Sequence, residues 1–273
     1  MMERNTNRTI ESVVSREDVE KALKYVGLGP NMNVMVHASL SSFGYLIGGA
    51  RTVVDVLMEM ITKEGTIIMP THTSDNTDPS SWQNPPAVPG VWEELRENMP
   101  AYNPEQSDLW YMGSITENFR HREGVVFSNH PTTSFAAWGR YARVLCNRHS
   151  LHFPLAEESP VARLYELKGH VLLIGVDFSK ATCLHLGEYR TEARPIRVES
   201  TCMLEKGERV WKKYLDLDLD SEEFEKVREE LEKKNLIRET TVGSCRIQLF
   251  PVNNAVDEAT VYFERNSVFD LYR

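Results

Sequence analysis

Residues 33–70 read NVMVHASLSSFGYLIGGARTVVDVLMEMITKEGTIIMP, and this pattern decides the fold class. Asn33 to His37 is a short buried strand. It stops in a polar loop bearing Ser39, Leu40, Ser41 and Ser42, followed by Gly48, Gly49 and Ala50. From Arg51 to Lys63 the apolar residues Val53, Val54, Leu57, Met58 and Ile61 recur with a helical period. Gly65 leads into a second buried strand, Thr66 to Met69, closed by Pro70. Strand, loop, helix and strand in this order imply a right-handed parallel crossover, the unit of layered α/β folds. A glycine-bearing loop at a helix N-terminus also suits an anion or phosphate; taken alone, it is as readily a plain turn.

Upstream, Ser15 with Asp18 opens a helix through about Val26, ended by Gly27, Gly29 and Pro30. Residues 1–14 are expected to be a flexible lead-in. Downstream, Thr71 to Pro89 is a long polar loop, the kind that is functional or mobile in a compact domain. Helices are predicted over Val91–Asn98, Gly113–Arg122 and Pro160–Leu167. His130 to Gly139 reads as a loop leading into a helix that runs to Cys146, and His170 to Gly175 as a strand. From Arg197 the character changes. Val198–Glu205, Glu208–Leu215 and Arg246–Phe250 alternate like antiparallel strands. Ser221–Lys234 is a charged amphipathic helix with Phe224, Val227 and Leu231 facing inward. The expected architecture is α/β: a central mixed sheet flanked by helices, with an α+β layer over the last third, in one domain spanning residues 1–273.

Composition sets the outer bounds. A chain of 273 residues with 41% hydrophobic and 26% charged residues is ordinary for a soluble globular protein. A net charge of −9 argues against nucleic acid as the main partner; it suits a cationic small molecule, but is as readily the charge of a plain acidic soluble protein. No apolar run is long enough to cross a bilayer, and the polar N-terminus lacks a signal-peptide core. Cys146, Cys183, Cys202 and Cys245 form no CxxC pair, which disfavours structural zinc and a disulfide framework and points to a reducing cytoplasm. HExxH and GxSxG are both absent.

The stretch 172–190, LLIGVDFSKATCLHLGEYR, holds the best candidate for chemistry. An apolar run ends at Gly175, and the following loop delivers His185 and Glu188 three residues apart. A His with a neutral-range titration is matched to acid–base work, but a core histidine with both nitrogens bonded fits the same residues. Glu188 either orients His185 or binds an amine of the substrate. Asp216, in YLDLDLD, is the first choice for an orienting carboxylate, with Asp177 its rival. Cys183 is read as a small buried thiol. His130 is read as a loop-holding residue, and His37 and His72 as scaffold rather than base.

Several stretches, in order, carry a resemblance. They are Val36-His37-Ala38-Ser39-Leu40-Ser41-Ser42-Phe43-Gly44, Gly48-Gly49-Ala50, Met69-Pro70-Thr71-His72-Thr73, His130-Pro131-Thr132-Thr133-Ser134-Phe135-Ala136-Ala137-Trp138-Gly139, Glu158-Ser159-Pro160 and Thr182-Cys183-Leu184-His185-Leu186-Gly187-Glu188. The chain resembles the aminoglycoside N3-acetyltransferase-type proteins, the antibiotic N-acetyltransferase family. The resemblance implies that family's own α/β fold, distinct from GNAT acetyltransferases, and no GNAT-type pyrophosphate loop is found. It also implies acetyl-CoA as acyl donor and direct transfer to an amine, with His185 as base and Glu188 facing the substrate. Gly187 stands where the family usually has Ala. Coenzyme A is expected at His37, Ser39, Leu40, Ser41, Ser42, Gly48, Gly49, Thr71, Ser134 and Phe135. Asp75, Asn76, Trp82, Glu158 and Glu188 are expected to frame an aminoglycoside. Hydroxyls and amides of Ser39–Ser42 or Thr71 are the expected oxyanion donors. Acetylation of another amine, coenzyme A binding without transfer and thioester hydrolysis stay open, as does the oligomeric state, for which a homodimer is the candidate.

Overall fold

The computed structural model of the protein describes residues 9–109 and 111–266. In chain order its elements are α1 (Arg16–Tyr25), β1 (Asn33–Ala38), α2 (Gly49–Ile61), β2 (Thr66–Pro70), α3 (Trp92–Asn98), α4 (Gly113–Arg120), β3 (Val126–Phe127), β4 (Phe135–Gly139), α5 (Ala142–Cys146), α6 (Pro160–Glu166), β5 (His170–Ile174), α7 (His185–Tyr189), β6 (Ile196–Glu205), β7 (Glu208–Leu217), α8 (Phe224–Lys233), β8 (Arg238–Val242), β9 (Cys245–Pro251) and α9 (Val252–Arg265). A seven-stranded sheet is ordered β3-β4-β2-β1-β5-β9-β8. Its centre, β2, β1 and β5, is parallel, as the crossover from β1 through α2 to β2 requires. The outer strands are antiparallel to their neighbours, so the sheet is mixed.

Period-two alternation sends the sheet's side chains into two layers. Met35, Ile68, Phe135, Leu173 and Phe250 pack with Leu145, Val161, Leu184, Phe224 and Ala255 from the α5–α9 side. Val34, Val36, Ile67, Met69 and Leu172 pack on the opposite side with Leu23, Val53, Leu57 and Phe119 of α1, α2 and α4. With both faces covered, a central strand has no polar side, which is why Val34–Val36 and Ile67–Met69 are unbroken apolar runs. Ser15 caps α1 in a capping box with Asp18, and α8 buries Phe224, Val227 and Leu231 as its spacing predicts.

The structure corrects the reading at four places. The expected loop 130–139 contains β4, paired with β2 along its whole length. Four of the five β4 residues are buried, so no alternation betrays the strand. β9 lies inside the main sheet beside β5, leaving the outer layer as the ten-residue strands of the β6–β7 ribbon. α9, which the sequence reading leaves unassigned, buries Val252, Ala255, Val256, Ala259 and Phe263 at helical spacing. Of the expected flexible lead-in, residues 1–8 lie outside the described residues, while Val14 is buried and bridged to Leu46.

The ribbon ties together the loops at one edge of the sheet. Asp78 N donates to Ser200 O at 3.0 Å and Cys202 N to Asn76 O at 2.8 Å, holding the long loop after β2. At its other end Phe153 N donates to Leu215 O at 2.8 Å.

Candidate active site

The chain leaves β1 toward β2 and returns on the other side of β1 as β5. The carboxyl ends of β1 and β5 therefore flank a topological switch point, where open α/β sheets bind ligands. Ser39 N donates to Ile174 O at 2.9 Å. A Cβ on Gly175, whose φ is +65°, would lie 1.7 Å from Ser42 Oγ, so only glycine lets the two loops touch. Ser42 Oγ donates to Ser39 O at 2.7 Å, the Ser39 and Ser41 hydroxyls share a bond of 3.0 Å, and Ser244 Oγ donates to Ser42 O at 2.6 Å. Gly48, with φ 79°, opens the thirteen-residue α2 without any side-chain cap, and Leu40 lies beside Gly49. Uncapped amides at a helix N-terminus suit an anion.

His185 opens α7 and Glu188 follows on the same helix face. His185 Nδ1 meets Glu188 Oε2 at 2.5 Å. Glu188 has no exposed surface, and its Oε1 accepts from Arg194 Nε at 2.6 Å and from Asp220 N at 3.3 Å. A buried carboxylate stays ionised only with donors of this kind. An acceptor-only carboxylate places the proton of a neutral imidazole on Nδ1 and leaves the Nε2 lone pair free. The His185 side chain keeps 16% of its surface exposed, and among the described residues nothing bonds its Nε2. Phe224 supports the ring edge-on at 4.8 Å, and the Arg194 guanidinium lies 5.6 Å from the Phe263 ring. This geometry leaves an oriented imidazole with one unbonded, partly accessible nitrogen, an arrangement that suits proton transfer. Arg194 was not legible in the sequence, because it sits six residues beyond Glu188 in an irregular segment without periodicity.

Two of the expected carboxylate roles need correction. Glu188 spends both oxygens within the protein, on His185, Arg194 and Asp220 N, rather than presenting them to a substrate. Asp216 does not reach His185: it accepts from Tyr189 Oη and from Leu217 N, and burial pushes its carboxyl up. Its rival Asp177 caps the turn after β5 through Ser179 N at 3.0 Å. The Gly187 departure has a packing reason: a Cβ there would lie 2.7 Å from Ala259 Cβ and 2.9 Å from Thr260 N of α9.

Other expected donor-site residues sit deeper than anticipated. The Thr71 and Ser134 hydroxyls bond each other at 2.8 Å, and Ser134 Oγ also contacts Thr71 O, so both are spent and buried. Phe135 is fully buried in β4, with its ring on His72 and His149. His37 lies next to last in β1, only 8% exposed. Burial, the largest cause, holds His37, His72 and His130 down to about 3. Cys183 is fully buried and its thiol pushed up by desolvation, as befits a packing residue.

The long loop after β2 and α3 enclose a cleft of about 560 Å³ lined by Asp75, Trp82, Glu94, Asn98 and Met99. Burial, then the neighbouring Asp108, raises the Asp75 carboxyl. Asn76 does not face the cleft; its amide bonds Pro131 O at 2.7 Å and Thr201 Oγ1 at 3.0 Å. Glu158 is exposed before α6 and is not among the lining residues. Among the described residues no group of three or more His, Cys, Asp or Glu is placed to hold a metal ion, and no helix is long and apolar enough to cross a membrane.

A family model described as aminoglycoside 3-N-acetyltransferase matches residues 35–264. The chain belongs to that family. It is 40% identical over 253 residues to the SPbeta prophage-derived aminoglycoside N(3')-acetyltransferase-like protein YokD of Bacillus subtilis, covering 92% of this chain and 93% of that one. The YokD crystal structure matches the fold with a TM-score of 0.90, over 94% of this chain and 95% of that chain. Aminoglycoside N(3)-acetyltransferase VII of Streptomyces paromomycinus is 31% identical over 271 residues, covering 92% of each. AAC-IIIb, solved as a binary complex with CoASH, shares the fold at 22% identity and a TM-score of 0.83, over 94% of this chain and 98% of that chain. Membership in the family makes the chain an acetyltransferase by class and its fold the α/β fold of that group.

Proposed function

We propose that the protein transfers the acetyl group of acetyl-CoA directly to an amine of an aminoglycoside, with His185 as general base. The observation that carries this reading is the free Nε2 of His185 at the end of the buried Arg194–Glu188 chain. A protein that only bound coenzyme A would have no use for an oriented base. An ammonium cannot attack a thioester, so the acceptor reacts as the free amine, having lost one proton to solvent, and a second N–H proton must leave as the nitrogen bonds to carbon. His185 Nε2 takes that proton, and Glu188 stabilises the imidazolium. The same proton then serves the departing sulfur.

The α2 amides suit the donor's phosphates, and the bound donor supplies an activated thioester. Asp75, Glu94 and the Trp82 ring suit a cationic amino sugar through charge and cation–π contact. Four free, buried cysteines accord with work in the cytoplasm. The test is thiol release from acetyl-CoA, with and without a panel of aminoglycosides, in wild type and His185→Ala. Release that needs both the acceptor and His185 supports the reading. Release without acceptor makes the protein a thioesterase, and binding without release moves the search to other amines.

A further inference from the structure

Arg194 meets more carboxylates than one ion pair needs. Its side chain is only 9% exposed, and besides the Nε–H given to Glu188 Oε1 at 2.6 Å its Nη2 reaches Asp220 O at 3.4 Å. Asp220 Oδ2 lies 3.8 Å from Nη1, and Glu223 Oε2 lies 3.8 Å from Nη2. Glu223 Oε2 is buried and accepts no hydrogen bond from a described residue, so charge alone sets it beside the guanidinium. Tyr262 Oη donates to the other oxygen of Glu223 at 3.5 Å. The turn that carries Asp220 and Glu223 also gives Asp220 N to Glu188 and the Phe224 ring to His185. One short segment thus frames the guanidinium, the carboxylate and the imidazole.

The number of protons on this cluster decides whether a base exists. Glu188 has no exposed surface, and a buried carboxylate is neutralised by a cation or by a proton. Without Arg194 the His185–Glu188 pair would carry one uncompensated negative charge and take up a proton. Two places can hold that proton, and both occupy Nε2. On the ring it makes an imidazolium, with N–H groups at both nitrogens. On the carboxyl it makes an O–H that donates to Nδ1 and turns the ring to its Nε2–H form. The other groups facing the pair supply no replacement charge. Burial holds His72 down to about 3, and burial pushes the Tyr189 phenol up, so both are neutral. The nearby cations are taken: Arg190 by Glu157, Lys226 by Glu229, Arg228 by Glu232. On α9 the buried residues are apolar, Asp257 binds Tyr165 and Glu258 binds Lys234.

We propose that Arg194 is a positioning residue that keeps His185 Nε2 free of a proton: its charge satisfies Glu188, so the buried pair holds a single proton, on Nδ1. The assignment rests on the acetyl-transfer reading above. Asp220 and Glu223 hold the guanidinium in place and offset its repulsion of the imidazolium that forms during transfer. Arg194 touches no reacting atom; it acts through Glu188.

The test is 15N NMR of imidazole-labelled protein at neutral pH in wild type, Arg194→Gln and Arg194→Lys, with the His185 signals assigned through His185→Asn. Gln and Lys both keep a donor beside Glu188 and differ in charge. Wild type and Arg194→Lys show Nδ1 with a proton and Nε2 without one, whereas Arg194→Gln shows a proton on Nε2. In turnover Arg194→Gln loses about 100-fold in kcat with each KM within about threefold, and Arg194→Lys stays within about tenfold of wild type. A proton-free Nε2 in Arg194→Gln overturns the assignment, as does a protonated Nε2 in wild type. If Arg194→Gln does not fold, 13C NMR of the wild-type carboxyl decides: an ionised Glu188 beside a proton-free Nε2 supports the assignment, and a protonated Glu188 overturns it. Wild type that releases no thiol with any acceptor would instead remove the parent reading, while the ring signals still decide this one.

Discussion

The histidines of the loop 128–154 and those at the strand ends are alike in burial and opposite in what their nitrogens do. His130 accepts from Thr132 N and Thr133 N on Nδ1, at 3.2 and 2.9 Å, and reaches Leu151 O through Nε2 at 3.1 Å. His149 bonds Ser128 Oγ at 3.0 Å and Pro154 O at 2.6 Å. Both rings have used every nitrogen to hold a loop. His37, His72 and His185 each keep a free Nε2 at the carboxyl edge of the sheet. The two sets are thus distinguished by unspent hydrogen-bonding capacity, a property that residue type alone does not carry.

The sharpest way to break this comparison is to exchange the expected losses. His185→Ala lowers kcat by about 10²–10⁴-fold, the usual share of a general base, with little change in the urea midpoint. Should His130→Ala give the larger kinetic loss, the division between the two sets fails. The next largest effect falls on the support of the base. Arg194→Met leaves Glu188 as an uncompensated buried charge and costs about 3–5 kcal/mol in equilibrium unfolding, whereas Glu188→Gln leaves most of the stability and removes activity.

Acid titration compares the two sets on equal terms. His37, His72 and His130 are held down to about 3 and His149 to about 4, all by burial first. Between an unfolded value of about 6.5 and those folded values, the unfolded chain binds more protons, so stability falls as pH falls through that window. The slope is about 1.4 kcal/mol per pH unit for each such histidine. Replacing either His37 or His130 by Gln makes the acid slope shallower. At pH 8, however, only His130→Gln destabilises, by about 1–3 kcal/mol, because only that ring has bonds to lose. Equal losses at pH 8 would contradict the distinction.

The same contrast predicts the smallest effects, between two aspartates of the long loop. Asp78 bonds Arg96 Nη2 at 2.9 Å and Ser80 N at 2.9 Å and is held at about 2 despite its partial burial. Asp78→Asn costs up to about 1 kcal/mol of stability and leaves the acceptor KM unchanged. Asp75, exposed in the cleft, behaves in reverse: Asp75→Asn leaves stability alone and raises the KM of a cationic acceptor about fivefold, the worth of one such ion pair.

Much of the fold was legible in residues 33–70, because a strand buried on both faces and an amphipathic helix leave different apolar periods. The same rule hid β4: Phe135-Ala136-Ala137-Trp138-Gly139 has neither alternation nor a long aliphatic run, and its strand character comes from pairing with β2. The spacing His185–Glu188 was legible as a shared helix face. Its meaning was not, since whether Glu188 faces substrate or His185 depends on Arg194 and Asp220 closing over it. The free nitrogens of His37 and His72 were equally invisible, as bonding capacity is spent by neighbours distant in the chain.

By itself, then, the sequence determined the layered α/β class, the parallel crossover and the His–Glu pair, all set by local periodicity and short spacing. Tertiary structure alone decided which carboxylate bonds His185, which histidines are spent and which loops line the cleft. Those outcomes turn on contacts between segments far apart in the chain, such as Glu188 with Asp220 and Asn76 with Thr201, whose geometry no local pattern encodes.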